Sequence, residues 1–158
     1  MRILVVSDSH RNESALRNAI TQQPRAELVI HLGDGARQAQ AMADDFPKRK
    51  IEIVCGNCDW GLSSVLPSFG LKSVGGYLIY YTHGHIHSVK SGLYNIISAA
   101  RERKADVLLF GHTHIPICIY DDGLYILNPG SLTGRSPTYG IIDITDAGIA
   151  PFIAELRS

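Results

Sequence analysis

Arg2-Ile3-Leu4-Val5-Val6-Ser7, followed at once by Asp8-Ser9-His10, decides how the chain is read. An almost unbroken β-branched and leucine run is the pattern of a strand covered on both faces, as in a parallel sheet. The polar residues behind it then stand at the strand's carboxyl end. Asn12–Gln23 carries helical spacing at Leu16, Ala19 and Ile20, with Pro24 just beyond. Glu27–Leu32 reads as a second strand, Ala36–Asp45 as a second helix and Lys50–Cys55 as a third strand. This β-α-β-α-β order with short connections predicts parallel pairing and right-handed crossovers.

The second half changes character. Phe69–Val74 and Tyr77–Thr82 flank Gly75-Gly76, a strong two-residue hairpin signal. A helix is expected from about Ser91 to Lys104, then a strand over Asp106–Phe110. Ile115–Tyr120 and Leu124–Leu127 flank Asp121-Asp122-Gly123, and Tyr139–Ile144 and Ile149–Glu155 flank Thr145-Asp146-Ala147-Gly148, giving two more hairpins. Parallel α/β units followed by antiparallel meanders predict two packed sheets with helices outside. No linker, repeat or low-complexity tract interrupts residues 1–158, so one domain is expected.

Bulk properties narrow the function. The hydrophobic fraction is 45% and the formal net charge zero, with no basic block longer than stretches such as Pro47-Lys48-Arg49-Lys50. Tight gripping of long nucleic acid is not expected of such a chain. Cys55, Cys58 and Cys118 are odd in number and scattered, which argues against a disulfide framework and for a reducing compartment. Cys55 and Cys58 spell C-x-x-C, but at a strand end rather than the start of a helix, so a redox dithiol is disfavoured. No apolar stretch approaches the roughly 20 residues of a membrane span. The first residues run straight into a strand without the features of a signal peptide. The expectation is a cytoplasmic protein with no membrane partner and a small phosphorylated substrate, a homo-oligomer being open.

The histidines carry the chemistry. Of seven, only His31 lies in a plain hydrophobic run. The others cluster with aspartates, glycines and an asparagine in Asp8-Ser9-His10, His83-Gly84-His85-Ile86-His87 and Gly111-His112-Thr113-His114. Gly33-Asp34 and Gly56-Asn57-Cys58-Asp59 fall between the first two. Each cluster follows a strand-type run, and ligands of parallel α/β sheets bind beyond the carboxyl ends of strands. Neutral imidazoles with carboxylate and amide oxygens suit a borderline divalent metal. Five clusters exceed the needs of one ion, which points to a two-metal centre and to hydrolysis. Asp8, His10, Asp34, Asn57, His83, His112 and His114 gathered for structure alone would cost stability with no return.

Asp-x-His, Gly-Asp, Gly-Asn-x-Asp, His-Gly-His and Gly-His-Thr-His, in that order, resemble the calcineurin-like metallophosphoesterases. The short length and Asn128-Pro129-Gly130-Ser131 resemble the small bacterial and archaeal phosphodiesterases of the YfcE type within them. The resemblance implies a sandwich of two mixed sheets flanked by helices. It implies that Asp8, His10 and His114 hold one metal, that Asn57, His83 and His112 hold the other, and that Asp34 bridges them. Manganese is the metal it implies first, with nickel, zinc or iron suited to the same ligands.

The physics stands beside the resemblance. Two divalent cations bring four positive charges, of which Asp8 and Asp34 cancel two, so a phosphate is attracted and charge building on its oxygens is stabilised. Ions about 3.5–4 Å apart can share one water and lower its pKa toward neutrality. The resulting hydroxide attacks phosphorus in line with the leaving alkoxide, and no protein nucleophile is needed. Asp59, His85 and Asn128 are candidates to orient the ligands. In many relatives a histidine follows the motif asparagine; here it is Cys58, as in the YfcE-like branch. A thiol has a reference pKa near 8.5 and donates hydrogen bonds poorly. Weaker help to the leaving group is therefore expected, with activated or aryl diesters preferred over monoesters and 2′,3′-cyclic nucleotides cleaved poorly.

Other residues take plainer readings. His31 is read as structural, packed on a strand with its ring hydrogen-bonded. His85 is read as a support to the ligands, and His87 as either loop surface or part of the site. Trp60 is read as packing, ahead of stacking on a substrate base. Tyr80 and Tyr81 alternate across a strand, so one should face the core. Asn128 and Ser131 either form a turn or reach the site, and Arg135 is the nearest free cation to that loop. Against the phosphodiesterase stand a non-catalytic scaffold like the retromer subunit that resembles this family, and a monoesterase or nuclease with the same centre. An amidohydrolase barrel needs about 250 residues and is too long.

Overall fold

The computed structural model describes residues 1–157. Ten strands and three α-helices follow in the order β1 (Arg2–Val6), α1 (Glu13–Gln22), β2 (Ala26–His31), α2 (Ala36–Asp45), β3 (Lys50–Ile53), β4 (Phe69–Val74) and β5 (Tyr77–Thr82). Then come α3 (Tyr94–Glu102), β6 (Val107–Leu109), β7 (Ile117–Asp121), β8 (Leu124–Asn128), β9 (Thr138–Thr145) and β10 (Gly148–Glu155). One sheet runs β10-β9-β1-β2-β3 and the other β4-β5-β6-β8-β7, five strands each. Both are mixed: β1, β2 and β3 are parallel, as are β5, β6 and β8, with antiparallel strands at the flanks. The expected two-sheet sandwich is what forms.

The second sheet corrects the meander expectation. β5 and β6 are joined by α3 as a parallel crossover, and β6 enters beside β8, leaving β7 at the edge. Only the β4–β5, β7–β8 and β9–β10 hairpins are local, at the turns the sequence marks.

Burial explains the layers. Along β1, Ile3 and Val5 face the other sheet, while Leu4 and Val6 face the helices. Between the sheets, Leu28 and Ile30 meet Ile79, Tyr81, Val107 and Leu109. Outside the first sheet, Leu16, Ala19 and Ile20 of α1 and Ala39 and Met42 of α2 pack on Leu4, Val6 and Val29. Outside the second, Ile96 and Ala100 of α3 pack on Tyr80, Leu108 and Ile126. Tyr81 thus fills the core between sheets and Tyr80 the core under α3, and both are buried. All six central strands are covered on both faces, which is why they read as continuous apolar runs.

Candidate metal centre

The loops after the parallel strands of both sheets meet at one edge of the sandwich. Three bonds tie them together. His83 Nδ1–H donates to the Leu32 carbonyl at 2.7 Å, Gly111 N–H donates to the His83 carbonyl at 2.9 Å, and His112 N–H donates to Asp8 Oδ2 at 3.1 Å. Asp8, Asp34 and His83 are buried at this junction. His10, Asn57 and His114 lie at its open side.

Two groups of acceptors result. Asp8 Oδ1 lies 3.0 Å from His114 Nε2 and 3.6 Å from His10 Nε2, and those two nitrogens are 3.2 Å apart. His83 Nε2 lies 3.1 Å from Asn57 Oδ1, 3.2 Å from His112 Nδ1 and 3.4 Å from Asp34 Oδ2. With Nδ1–H donated to Leu32, His83 can satisfy the amide and carboxylate oxygens at Nε2 only by taking up a second proton there or by sharing a cation with them. Atoms of this kind drawn within hydrogen-bond distance of one another are the arrangement a cation satisfies. Asp34 belongs to a set with His10 and Cys58 and to another with His83 and His112, each set having ligand atoms within 4.8 Å of one another. The residues present therefore fit divalent metal.

The backbone is bent to make this convergence. Asp8, His10, Asp34, His112 and His114 have φ of 54°, 40°, 56°, 66° and 61°, in the left-handed region that side chains rarely adopt. Strain of about 1–3 kcal/mol at each such position persists only where surrounding bonds over-determine it. Those bonds are visible. Ser7 Oγ–H donates to Asp8 Oδ2 at 2.5 Å and Ser131 Oγ–H to the Asp8 carbonyl at 2.8 Å. Asn128 Nδ2 donates to the Gly111 carbonyl and to Thr113 Oγ1, both at 3.0 Å, and its Oδ1 accepts Gly130 N–H at 2.9 Å, holding the Gly111–His114 loop. Gly111 presses on Ser7 so closely that a Cβ there would overlap Ser7 Oγ.

Asp59 is the tether of the other side. Its carboxylate accepts N–H from Asp34, Gly35, Ala36 and Gly56 at 2.8–2.9 Å, and so caps α2 from a distant loop. Asp34 Oδ1 accepts Cys58 N–H at 2.7 Å. Burial opposes ionisation of Asp34, but His83 and the Cys58 N–H hold its carboxyl well below the usual range. Burial lowers His112 to about 4, with His83 and Lys90 adding to it. Burial, with the Asp34 carboxylate, pushes the Cys58 thiol up. Cys55 is buried and also pushed up by burial, and all three cysteines are free.

The remaining residues separate. His85 sits in a 3-10 turn, His85–His87, with its ring 5.3 Å from that of His83 and 6.1 Å from that of His112. Its Nδ1 is buried and has no partner among the described residues. His87 turns away and pairs with Tyr80 Oη at 3.0 Å. His31 is buried, its Nδ1 accepting Gly33 N–H and its Nε2–H donating to Ser9 Oγ, both at 3.1 Å. Trp60 does not pack: it is 80% exposed, because Leu62 takes the buried place beside Cys55 and Ala36. Sequence reasoning missed Arg11 and Arg37, which line the same cavity as His10, Asp34 and Trp60, whereas Arg135 does not. Their signal was adjacency, since Arg11 follows His10 and Arg37 lies three residues after Asp34.

Residues 1–147 match the calcineurin-like phosphoesterase superfamily domain. The chain is 33% identical to the probable metallophosphoesterase YsnB of Bacillus subtilis, covering 96% of this chain and 90% of that protein. It is 26% identical to the phosphodiesterase YfcE of Escherichia coli K12, over 90% of this chain and 88% of that one. Among solved structures, Vps29 of Chaetomium thermophilum superposes with a TM-score of 0.78 at 22% identity, covering 99% of this chain and 89% of that chain. With two mixed sheets, strand-end acceptors and this match over most of its length, the chain belongs to the calcineurin-like phosphoesterase superfamily.

Proposed function

We propose that the chain is a metal-dependent phosphodiesterase acting on a small phosphodiester, with two divalent ions, manganese first, at the centre just described. Asp8, His10 and His114 would hold one ion, Asn57, His83 and His112 the other, and Asp34 both. When bound, the ions supply positive charge for the phosphate and a water made acidic enough to attack near neutral pH. Hydrolysis of a phosphodiester would join the oxygen of water to phosphorus, break one P–O ester bond and pass a proton to the departing oxygen. Ser7, Leu32 and Asn128 keep the ligating atoms aimed by fixing Asp8, His83 and the His112 loop. Asp59 acts as a positioning residue, its carboxylate fully occupied by backbone N–H groups. Cys58 and His85 are the groups at hand to hold a proton near the departing oxygen. The free thiols suit a reducing cytoplasm.

The observation that supports this reading is that Asp34 lies within ligand distance of His10 and Cys58 on one side and of His83 and His112 on the other, each group able to hold a cation. The test is hydrolysis of bis-(p-nitrophenyl) phosphate after chelation and re-addition of manganese, with metal counted per chain. Restored turnover with two ions per chain is expected. Failure with manganese, nickel, zinc and iron alike would leave a binding scaffold on the same fold.

A further inference from the structure

Beside the acceptor sets lies a groove of about 440 Å³, within the usual range for small-molecule sites. His10 and Asp34 belong to its wall, together with Arg11, Arg37 and Trp60. The two arginines are uncommitted. Arg2, Arg17 and Arg101 each meet a carboxylate, whereas among the described residues Arg11 and Arg37 meet none. Arg37 has a single long contact, Nη2 to the Trp60 carbonyl at 3.5 Å. The nearby carboxylates are already used: Asp59 accepts four backbone N–H groups, and Asp34 accepts Cys58 N–H and faces His83. Those same bonds occupy Gly35 and Ala36 N–H, leaving the start of α2 only the Arg37 and Gln38 N–H groups. The groove's free positive charge is that of Arg11 and Arg37.

Arg11 is held with φ at 68°, continuous with the strained stretch at His10. The conformation that aims His10 therefore also fixes where Arg11 leaves the backbone. A single exposed tryptophan is ordinary on a protein surface; Trp60 differs in lining a concave wall beside Arg37. Guanidinium groups pair with phosphate through two parallel bonds, and a nucleobase stacks on an indole face. Neither arginine belongs to the metal-type sets, so both are free to pair with an anionic group beyond the one those sets would hold. A second phosphate is what remains for them.

We infer that this groove selects the substrate, taking a nucleotide whose base lies on Trp60 and whose second phosphate pairs with Arg11 and Arg37, the hydrolysed phosphate lying toward His10 and Asp34. The inference rests on the phosphodiesterase reading for its last clause. With two arginines and a chain of zero net charge, the fit is to a short nucleotide rather than a long strand.

Trp60 is the chain's single tryptophan, so its fluorescence reports this groove alone. The chain with manganese is titrated with α,β-methylene-ADP, AMP, adenosine and methylenediphosphonate. Saturable quenching is expected with α,β-methylene-ADP, about tenfold tighter than with AMP, as one charge-assisted pairing would give. Adenosine should not saturate, and methylenediphosphonate, which lacks a base, should leave the emission unchanged. In Arg11→Ala and Arg37→Ala, both at exposed positions, the preference over AMP should fall toward one at an unchanged melting temperature. No quenching by α,β-methylene-ADP, equal quenching by methylenediphosphonate, or an undiminished preference in both variants would overturn the inference. Hydrolysis of bis-(p-nitrophenyl) phosphate by the unaltered chain separates the two readings. Turnover without nucleotide discrimination sinks the groove alone, whereas discrimination without turnover sinks the enzyme and keeps the groove.

Discussion

Asp34 and Asp59 are linked in series: Asp59 Oδ2 accepts the Asp34 N–H at 2.8 Å, while Asp34 Oδ1 accepts the N–H of Cys58, the residue before Asp59, at 2.7 Å. Each carboxylate thus fixes the loop that carries the other. The two loops close on one another, and the position of Asp34 between the acceptor sets depends on Asp59 although Asp59 faces neither.

Replacing Asp59 by Asn tests that dependence. An amide has one acceptor oxygen and presents N–H groups to backbone N–H groups, so at least two of the four bonds are lost. We expect a stability loss of about 3 kcal/mol in chelator, from the value of hydrogen bonds to charged groups. Manganese affinity should weaken about 10–100-fold, as when residues that orient ligands are removed. Chemical denaturation and calorimetric titration read the two effects. Unchanged metal affinity would show that Asp34 needs no such tether.

Gly56→Ala probes the same closure sterically. A Cβ at Gly56 would overlap both Asp34 Oδ1 and the Asp34 backbone nitrogen, and Gly56 itself has no left-handed φ to maintain. The cost is therefore displacement of Asp34. A stability loss of about 1–3 kcal/mol is expected from overpacking, with manganese affinity down about tenfold or more. Circular dichroism should show the sheets intact, since the clash is confined to the loops.

Much of this arrangement was legible in the sequence, because strands covered on both faces leave unmistakable runs and place their polar followers at one edge. Gly75-Gly76 and Asp122-Gly123 marked hairpins, and α2 occupies Ala36–Asp45 as its spacing predicts. Helix α3 starts at Tyr94, not Ser91, because Gly92 takes φ of 145° before it. The His85–His87 turn is too short to show a period. The place of β6 between β5 and β8 is a pairing across distant sequence, which no local pattern encodes. Trp60 was misread because size alone suggests burial, whereas Leu62 fits the narrow space beside Cys55 and Ala36. Asp59 read as a candidate to orient the ligands, but its four backbone partners come from two loops and emerge only with the fold.

Cys58→His changes the proton inventory of the site. Cys58 is exposed in the groove, and burial together with Asp34 pushes its thiol up, so it is protonated at neutral pH but donates poorly. An imidazole titrates near neutrality and serves better as a proton donor to a departing oxygen. The ratio of turnover on p-nitrophenyl phosphate to that on bis-(p-nitrophenyl) phosphate should rise about tenfold or more, and 2′,3′-cyclic nucleotides should become substrates. An unchanged ratio would remove Cys58 from substrate choice.

His31 gives the fold a pH limit that its metal chemistry does not. The ring is buried, accepts Gly33 N–H at Nδ1 and donates from Nε2 to Ser9 Oγ, an arrangement that requires the neutral form. Burial lowers it from 6.5 to about 4. Between those values the unfolded chain binds a proton that the folded chain refuses, so stability is full above pH 6.5 and is lost as pH falls toward 4. The gap corresponds to about 3 kcal/mol, at about 1.4 kcal/mol per unit. In chelator, His31→Asn should be less stable than the unaltered chain at pH 7, since its Oδ1 can still accept Gly33 N–H but the ring's packing is gone. The difference between the two should shrink by about 3 kcal/mol by pH 4, because titration of every other group, His112 included, is common to both. Parallel stability curves from pH 7 to pH 4 would mean that His31 is not held neutral by the fold.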